Sequence, residues 1–190
     1  HPTSVGANWR EELDFAVGKI EEGSWCAVGE IGLDTYWSSE FIDEQTAALK
    51  VQLNLALRQN LPVILHVRNA MDRTLEIIRG IKGLRGVFHA FSGSLESYRE
   101  ICRIGDFKLG IGGVLTYRNA GVASVLEQVP LRDIVLETDC PYLSPVPYRG
   151  KRNESSYIPV IASKVQSIKG CSIEEVAEIT TENARKLFGI

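Results

Sequence analysis

Cys26-Ala27-Val28-Gly29-Glu30-Ile31-Gly32-Leu33-Asp34 reads as a buried strand that presents the Glu30 carboxylate from between two glycines. The plan recurs downstream in Pro62-Val63-Ile64-Leu65-His66, in Gly86-Val87-Phe88-His89 and in Ile134-Val135-Leu136-Glu137-Thr138-Asp139. Each is a short apolar run rich in β-branched residues that stops at a side chain able to bind a metal. Runs of this length bounded by polar residues are typical of strands buried on both faces.

Between these strands the spacing of apolar residues is helical. Helices are expected over Trp9 to Glu22, with Leu13, Val17 and Ile20 inward, and over Ile42 to Gln59, with Ala48, Val51, Leu55 and Leu57 near one stripe. Further helices are expected at Met71 to Arg79, Leu95 to Ile104, Val122 to Val129 and Ile158 to Ile168. Ser172-Ile173-Glu174-Glu175 has a capping-box pattern that opens another, and Thr181 to Phe188 reads as one more short helix. Phe107 to Ile111 supplies a fifth strand, and Pro141 to Glu154 is long for a strand-to-helix connection. Strands alternating with helices imply a parallel sheet with helices outside it, and ligands at the carboxyl ends of the strands. The repeat leaves a barrel and an open sheet both standing, and five units cannot close a barrel of eight.

At 190 residues, 44% hydrophobic and 24% charged, one domain with one core is the expectation. A net charge of -3 excludes a broad basic face for nucleic acid, though not a local basic patch. Cys26, Cys102, Cys140 and Cys171 form no CxxC pair, which points to reduced thiols and a cytoplasmic location rather than to a zinc ribbon or a disulfide framework. No run approaches the ~20 apolar residues of a membrane span. His1-Pro2-Thr3 carries no initiator Met, so a processed or partial chain is expected.

Two imidazoles and two carboxylates at strand ends suit Zn, Mn, Ni or Mg, and the lack of thiolate there disfavours a structural zinc. Taken singly, His66 and His89 read equally as hydrogen-bonded structural residues, and Glu30 and Asp139 as helix N-caps or ion-pair partners. His1, before a proline, reads as a loop residue rather than a ligand. Asp34 and Arg68 form a candidate supporting pair beside the site.

The motifs Gly29 to Asp34, Leu65-His66-Val67-Arg68, Phe88-His89-Ala90-Phe91-Ser92-Gly93 and Glu137-Thr138-Asp139-Cys140-Pro141-Tyr142-Leu143 occur in the order seen in the TatD family of metal-dependent deoxyribonucleases, within the amidohydrolase-like barrels, and the chain resembles that family along its whole length. The resemblance implies a TIM-type (β/α)8 barrel, N-terminally incomplete, with residues 1–190 forming a single hydrolase domain. It implies two divalent metal ions, with Glu30 bridging, His66 and His89 on one ion and Asp139 on the other. It also implies hydrolysis of DNA phosphodiesters, exonucleolytic on single strands or ends, by metal-activated water, with Glu30 and Asp139 catalytic.

Family members open with a His-x-His-x-Asp strand that is absent here, and His1-Pro2 continues their Gly-x-His-Pro turn. Without the paired histidines the Asp139-side metal would be held weakly. A longer polypeptide, or self-association, is expected to cover the open barrel edge. Arg68, Arg149, Lys151 and Arg152 are the candidate phosphate contacts, and Tyr117, Tyr142 and Tyr148 the candidate base-stacking residues. Competing readings are a hydrolase of a small phosphoester or C–N bond, since fold does not fix substrate, and a catalytically impaired truncated homologue.

Overall fold

The computed structural model describes residues 1–190, which divide into two compact units. One comprises His1–Phe88, Glu100–Phe107 and Leu187–Ile190; the other comprises His89–Arg99 and Lys108–Lys186.

In the first unit, β1 (Val28–Asp34), β2 (Val63–Arg68) and β3 (Arg85–Phe88) pair in parallel, β2 lying between the other two. They alternate with α1 (Trp9–Glu22), α2 (Ile42–Arg58) and α3 (Met71–Arg79). Leu33, Val63 and Leu65 are completely buried, as strands covered on both faces require. The register places Gly32 opposite His66 and Asp34 opposite Arg68, with an irregularity between Val28 and Ile31. Gly32 has φ +147°, and a Cβ there would come within 2.8 Å of the His66 carbonyl carbon. Only glycine lets the two backbones approach so closely at the end of the strand.

The buried residues of α2 are Gln45, Ala48, Leu49, Leu53, Leu55 and Ala56. The expected stripe holds at Ala48 and Leu55 and is corrected at Val51 and Leu57, which are 42% and 39% exposed. The polar Gln45 occupies an inward position because its amide is consumed by backbone. Its Oε1 accepts the Asp34 N–H at 2.9 Å and its Nε2 donates to the Asp34 carbonyl at 3.1 Å.

In the second unit, β4 (Asp106–Ile111), which begins in the first unit, pairs in parallel with β5 (Ile134–Leu136) through Leu109↔Ile134, Gly110↔Val135 and Ile111↔Leu136. The helices that complete the chain are α4 (Leu95–Ile104), α5 (Val122–Gln128), α6 (Ile158–Lys169) and α7 (Ile173–Phe188). Lys169 reaches the Glu127 carbonyl at 3.2 Å and also that of Leu126, closing the C-terminal end of α5. Ser172 Oγ accepts the Glu175 N–H at 3.0 Å, as the capping pattern predicts. Thr181 to Phe188 is not a separate helix: α7 runs unbroken through Thr180, whose buried hydroxyl donates to the Val176 carbonyl at 2.8 Å. Asn183 binds α7 to the carbonyls of Leu131 and Ile134 at 2.8 and 2.7 Å.

The alternation of strand and helix is the α/β, TIM-type order expected from the sequence, with five strands seen. No helix is long and apolar enough to cross a membrane.

Candidate metal-binding and catalytic clusters

His1, Glu30, Asp34 and His66 come together along β1 and β2; β1 does not stop at Glu30, where the strand was expected to end, but runs on to Asp34. Asp34 is only 4% exposed, and both of its carboxylate oxygens have work to do. Oδ1 accepts the Tyr36 N–H at 2.9 Å, and Oδ2 lies 2.9 Å from His66 Nε2. A carboxylate only accepts hydrogen bonds, so Nε2 carries the proton and the Nδ1 lone pair of His66 is directed away from Asp34. That Nδ1 stands 3.7 Å from Glu30 Oε2, beyond hydrogen-bond range, and His1 Nε2 stands 3.7 Å from the same oxygen. Ligand atoms of His1, Glu30 and His66 all fall within 4.8 Å of one another. Nitrogen and oxygen ligands held at about 2.0–2.2 Å from a divalent ion sit roughly 3–3.5 Å apart, so this donor set fits such an ion with little adjustment. Burial disfavours a charge on His66, but the Glu30 and Asp34 carboxylates outweigh it and raise its pKa above 6.5.

His1 lies outside regular structure, as its reading as a loop residue expects, yet its ring sits beside Glu30 and His66. Its ring meets that of His66 edge-on at 4.4 Å, and its Nδ1 is 2.8 Å from Thr3 Oγ1 in the short 3-10 turn Pro2–Ser4. The signal in the sequence was the His-Pro pair, which resembled the end of a further strand. The candidate Asp34–Arg68 pair is corrected. Asp34 is engaged by His66, while the Arg68 guanidinium carbon lies over the Tyr36 ring, 3.6 Å from its centre.

In the second unit His89, Glu137 and Asp139 form a cluster. His89 Nδ1 lies 2.6 Å from Glu137 Oε2, and His89 Nε2 lies 3.4 Å from Asp139 Oδ1. The other Glu137 oxygen accepts the Ala90 N–H. Ladder bonding continues one residue past β5, where Glu137 N–H donates to the Ile111 carbonyl at 3.1 Å. Beside it a Cβ on Gly110 would lie 2.7 Å from Glu137 Oε1, so the absent side chain makes the space this carboxylate fills. Ala90 and Asp139 have φ +45° and +58°. Such left-handed backbone costs non-glycine residues of order 1–3 kcal/mol and clusters at functional sites. Sequence reasoning missed Glu137, although Glu137-Thr138-Asp139 displayed two carboxylates at one strand end.

The Pro- and Arg-rich loop is ordered from its far end. Asn153 is 1% exposed, and its Nδ2 donates to the carbonyls of Thr138 at 2.6 Å and Tyr142 at 2.5 Å. Tyr148 stacks on Tyr157 at 4.2 Å, Tyr117 OH donates to the Ser144 carbonyl at 3.1 Å, and Arg149 covers the Tyr117 ring at 4.2 Å. Two of the three candidate stacking tyrosines are thus engaged within the protein, whereas Tyr142 is 71% exposed. Lys151 and Arg152 are exposed.

Residues 1–189 match the family described as TatD related DNase. The chain is 41% identical over 193 residues to the uncharacterized metal-dependent hydrolase YabD of Bacillus subtilis, a match covering 100% of this chain and 75% of that protein. It is 34% identical over 199 residues to the 3'-5' ssDNA/RNA exonuclease TatD of Klebsiella pneumoniae, covering 100% of this chain and 75% of that one. The crystal structure of the TatD homolog YjjV from Escherichia coli is similar with a TM-score of 0.85 at 30% identity, over 98% of this chain and 72% of that chain. Among the curated relatives the chain spans 63% of the length of one from Buchnera aphidicola and 75% of YabD. Matched from end to end by the family and by these relatives, the chain belongs to the TatD-related family of metal-dependent hydrolases.

Proposed function

We propose that these 190 residues act as a single hydrolase domain that cleaves DNA phosphodiester bonds, exonucleolytically on single strands or ends, with divalent metal. One observation carries this reading. His66 is fixed by buried Asp34 so that its free nitrogen faces Glu30 beside His1, an arrangement that serves ligation better than packing. Glu30, His66 and His1 would hold a divalent ion, and in the other unit His89 and Asp139 would supply ligands to a second. Such an ion would polarise phosphoryl oxygen as a Lewis acid and make water a better nucleophile near neutral pH. Glu30 and Asp139 would accept the proton that water loses. Glu137 holds the His89 ring through Nδ1 and leaves Nε2 toward Asp139. Arg68, Arg149, Lys151 and Arg152 hold backbone phosphates. The exonuclease name carried by the Klebsiella relative supports the choice of substrate.

The test is cleavage of a 5'-labelled single-stranded oligonucleotide by the purified chain in magnesium, manganese, zinc or nickel. A ladder of products shortened from one end is expected, abolished by chelator and reduced at least 100-fold in Glu30→Gln. Cleavage indifferent to chelator and to Glu30→Gln would refute it.

A further inference from the structure

Directly beyond β1, Tyr36 and Trp37 form an exposed aromatic pair, their rings edge-on at 4.7 Å. Trp37 is 78% exposed and Tyr36 48%. Arg68, at the end of β2, lies 3.6 Å over the Tyr36 ring and 5.7 Å from that of Trp37. A guanidinium held over an aromatic ring at this distance is attracted to the ring as a cation and still has five N–H donors that can meet phosphate oxygens.

The group is anchored rather than loose. Tyr36 N–H donates to the same Asp34 carboxylate that orients His66. Thr35 N–H donates to the Arg68 carbonyl at 3.0 Å, and Thr35 Oγ1 donates to the Asn69 carbonyl at 2.8 Å. One buried side chain therefore ties the aromatic pair to the metal-binding imidazole.

We infer that Tyr36, Trp37 and Arg68 form a subsite for one nucleotide of a single strand, its base stacked on Trp37 and its phosphate held by Arg68. The inference rests on the nuclease reading for its substrate class and goes beyond it in naming the residues that select an unpaired base. A base in a duplex has both faces covered by its neighbours, whereas an unpaired base can offer one to an exposed indole.

The test is binding in chelator, where nothing is cleaved, of a fluorescent thymidine hexanucleotide and of the same strand with abasic residues, followed by anisotropy and by intrinsic tryptophan emission. The thymidine strand should bind more tightly and quench tryptophan, and Trp37→Phe should keep the affinity and lose that quenching. Trp37→Ala should lose about 5- to 100-fold in affinity for the thymidine strand and little for the abasic one. Equal binding of the two strands by the wild-type protein, or Trp37→Ala binding like wild type, overturns the subsite. Quenching by thymidine strands in a protein that never cleaves DNA keeps the subsite and sinks the nuclease reading. Cleavage with no base dependence of binding does the reverse.

Discussion

Replacing Asp34 by Asn tests the metal cluster at the residue that orients it. The two side chains have nearly the same shape, so the effect falls on hydrogen-bond direction. In the native protein both carboxylate oxygens accept, one from Tyr36 N–H and one from His66 Nε2. An amide has one accepting and one donating end. If its oxygen stays on Tyr36, its NH2 faces Nε2, which must then accept; the proton moves to Nδ1 and blocks the nitrogen that faces Glu30. If the amide turns over, the NH2 meets the Tyr36 N–H, and two donors oppose each other in a site only 4% exposed. Either way one charge-assisted bond of about 1.5–3 kcal/mol is lost, which is roughly 10- to 100-fold in metal affinity, the range found when such supporting carboxylates are removed.

The loss should itself depend on pH. His66 has its pKa raised above 6.5, with Asp34 among the causes. Protons compete with metal for the native imidazole more than for the variant's, so the gap between the two proteins should be widest near pH 8 and narrow toward pH 6. Titration calorimetry with manganese or zinc at both pH values measures it. An affinity for Asp34→Asn within twofold of wild type at pH 8 would refute the orientation argument, provided the variant melts as a folded protein.

Two further outcomes follow from the same geometry. Gly110→Ala should cost about 1–3 kcal/mol in stability from overpacking and should abolish hydrolysis, because its Cβ would stand 2.7 Å from Glu137 Oε1; thermal melting and cleavage assays check both, and an active, fully stable variant contradicts the role given to that space. In metal-free protein the raised pKa of His66 contributes stability that is present below pH 6.5 and lost as pH rises through the folded-state value; the melting temperature of wild type relative to His66→Gln, measured in chelator, should therefore fall from pH 6 to pH 8, and a constant difference would show that the imidazole's charge is not coupled to folding.

The strands and helices were legible because their periodicities are simple. α1 and α3 have the bounds that their apolar spacing gave, while β2 runs two residues past His66, where the strand was expected to stop. The phase of α2 was legible at Ala48 and Leu55 and not at its start, since no hydrophobicity rule places a glutamine inward. Gln45 is buried because the backbone of Asp34 offers both a donor and an acceptor, and that fact exists only once β1 is beside it. Glu30, His66, His89 and Asp139 could be picked from the apolar runs that lead into them, although β1 runs on past Glu30 to Asp34. Asp34 was picked as a supporting residue, but with Arg68 rather than His66 as its partner. Glu137 and Asn153 look like ordinary polar residues until the chain that surrounds them supplies the groups they bind. His1 lacked even a strand of its own to mark it.

The two clusters reach one chemical solution by different covalent routes. In the first unit an aspartate holds Nε2 and leaves Nδ1 facing a glutamate; in the second a glutamate holds Nδ1 and leaves Nε2 facing an aspartate. In each the holding carboxylate is within hydrogen-bond distance and the facing one is 3.4 Å or more away. A histidine kept only for packing needs one partner, and each of these has two carboxylates beside it. The repetition with the nitrogens exchanged means that the backbone does not dictate it. What the two arrangements share is a second imidazole nitrogen turned toward a carboxylate oxygen, a position that suits a proton or, in the function proposed above, a metal cation.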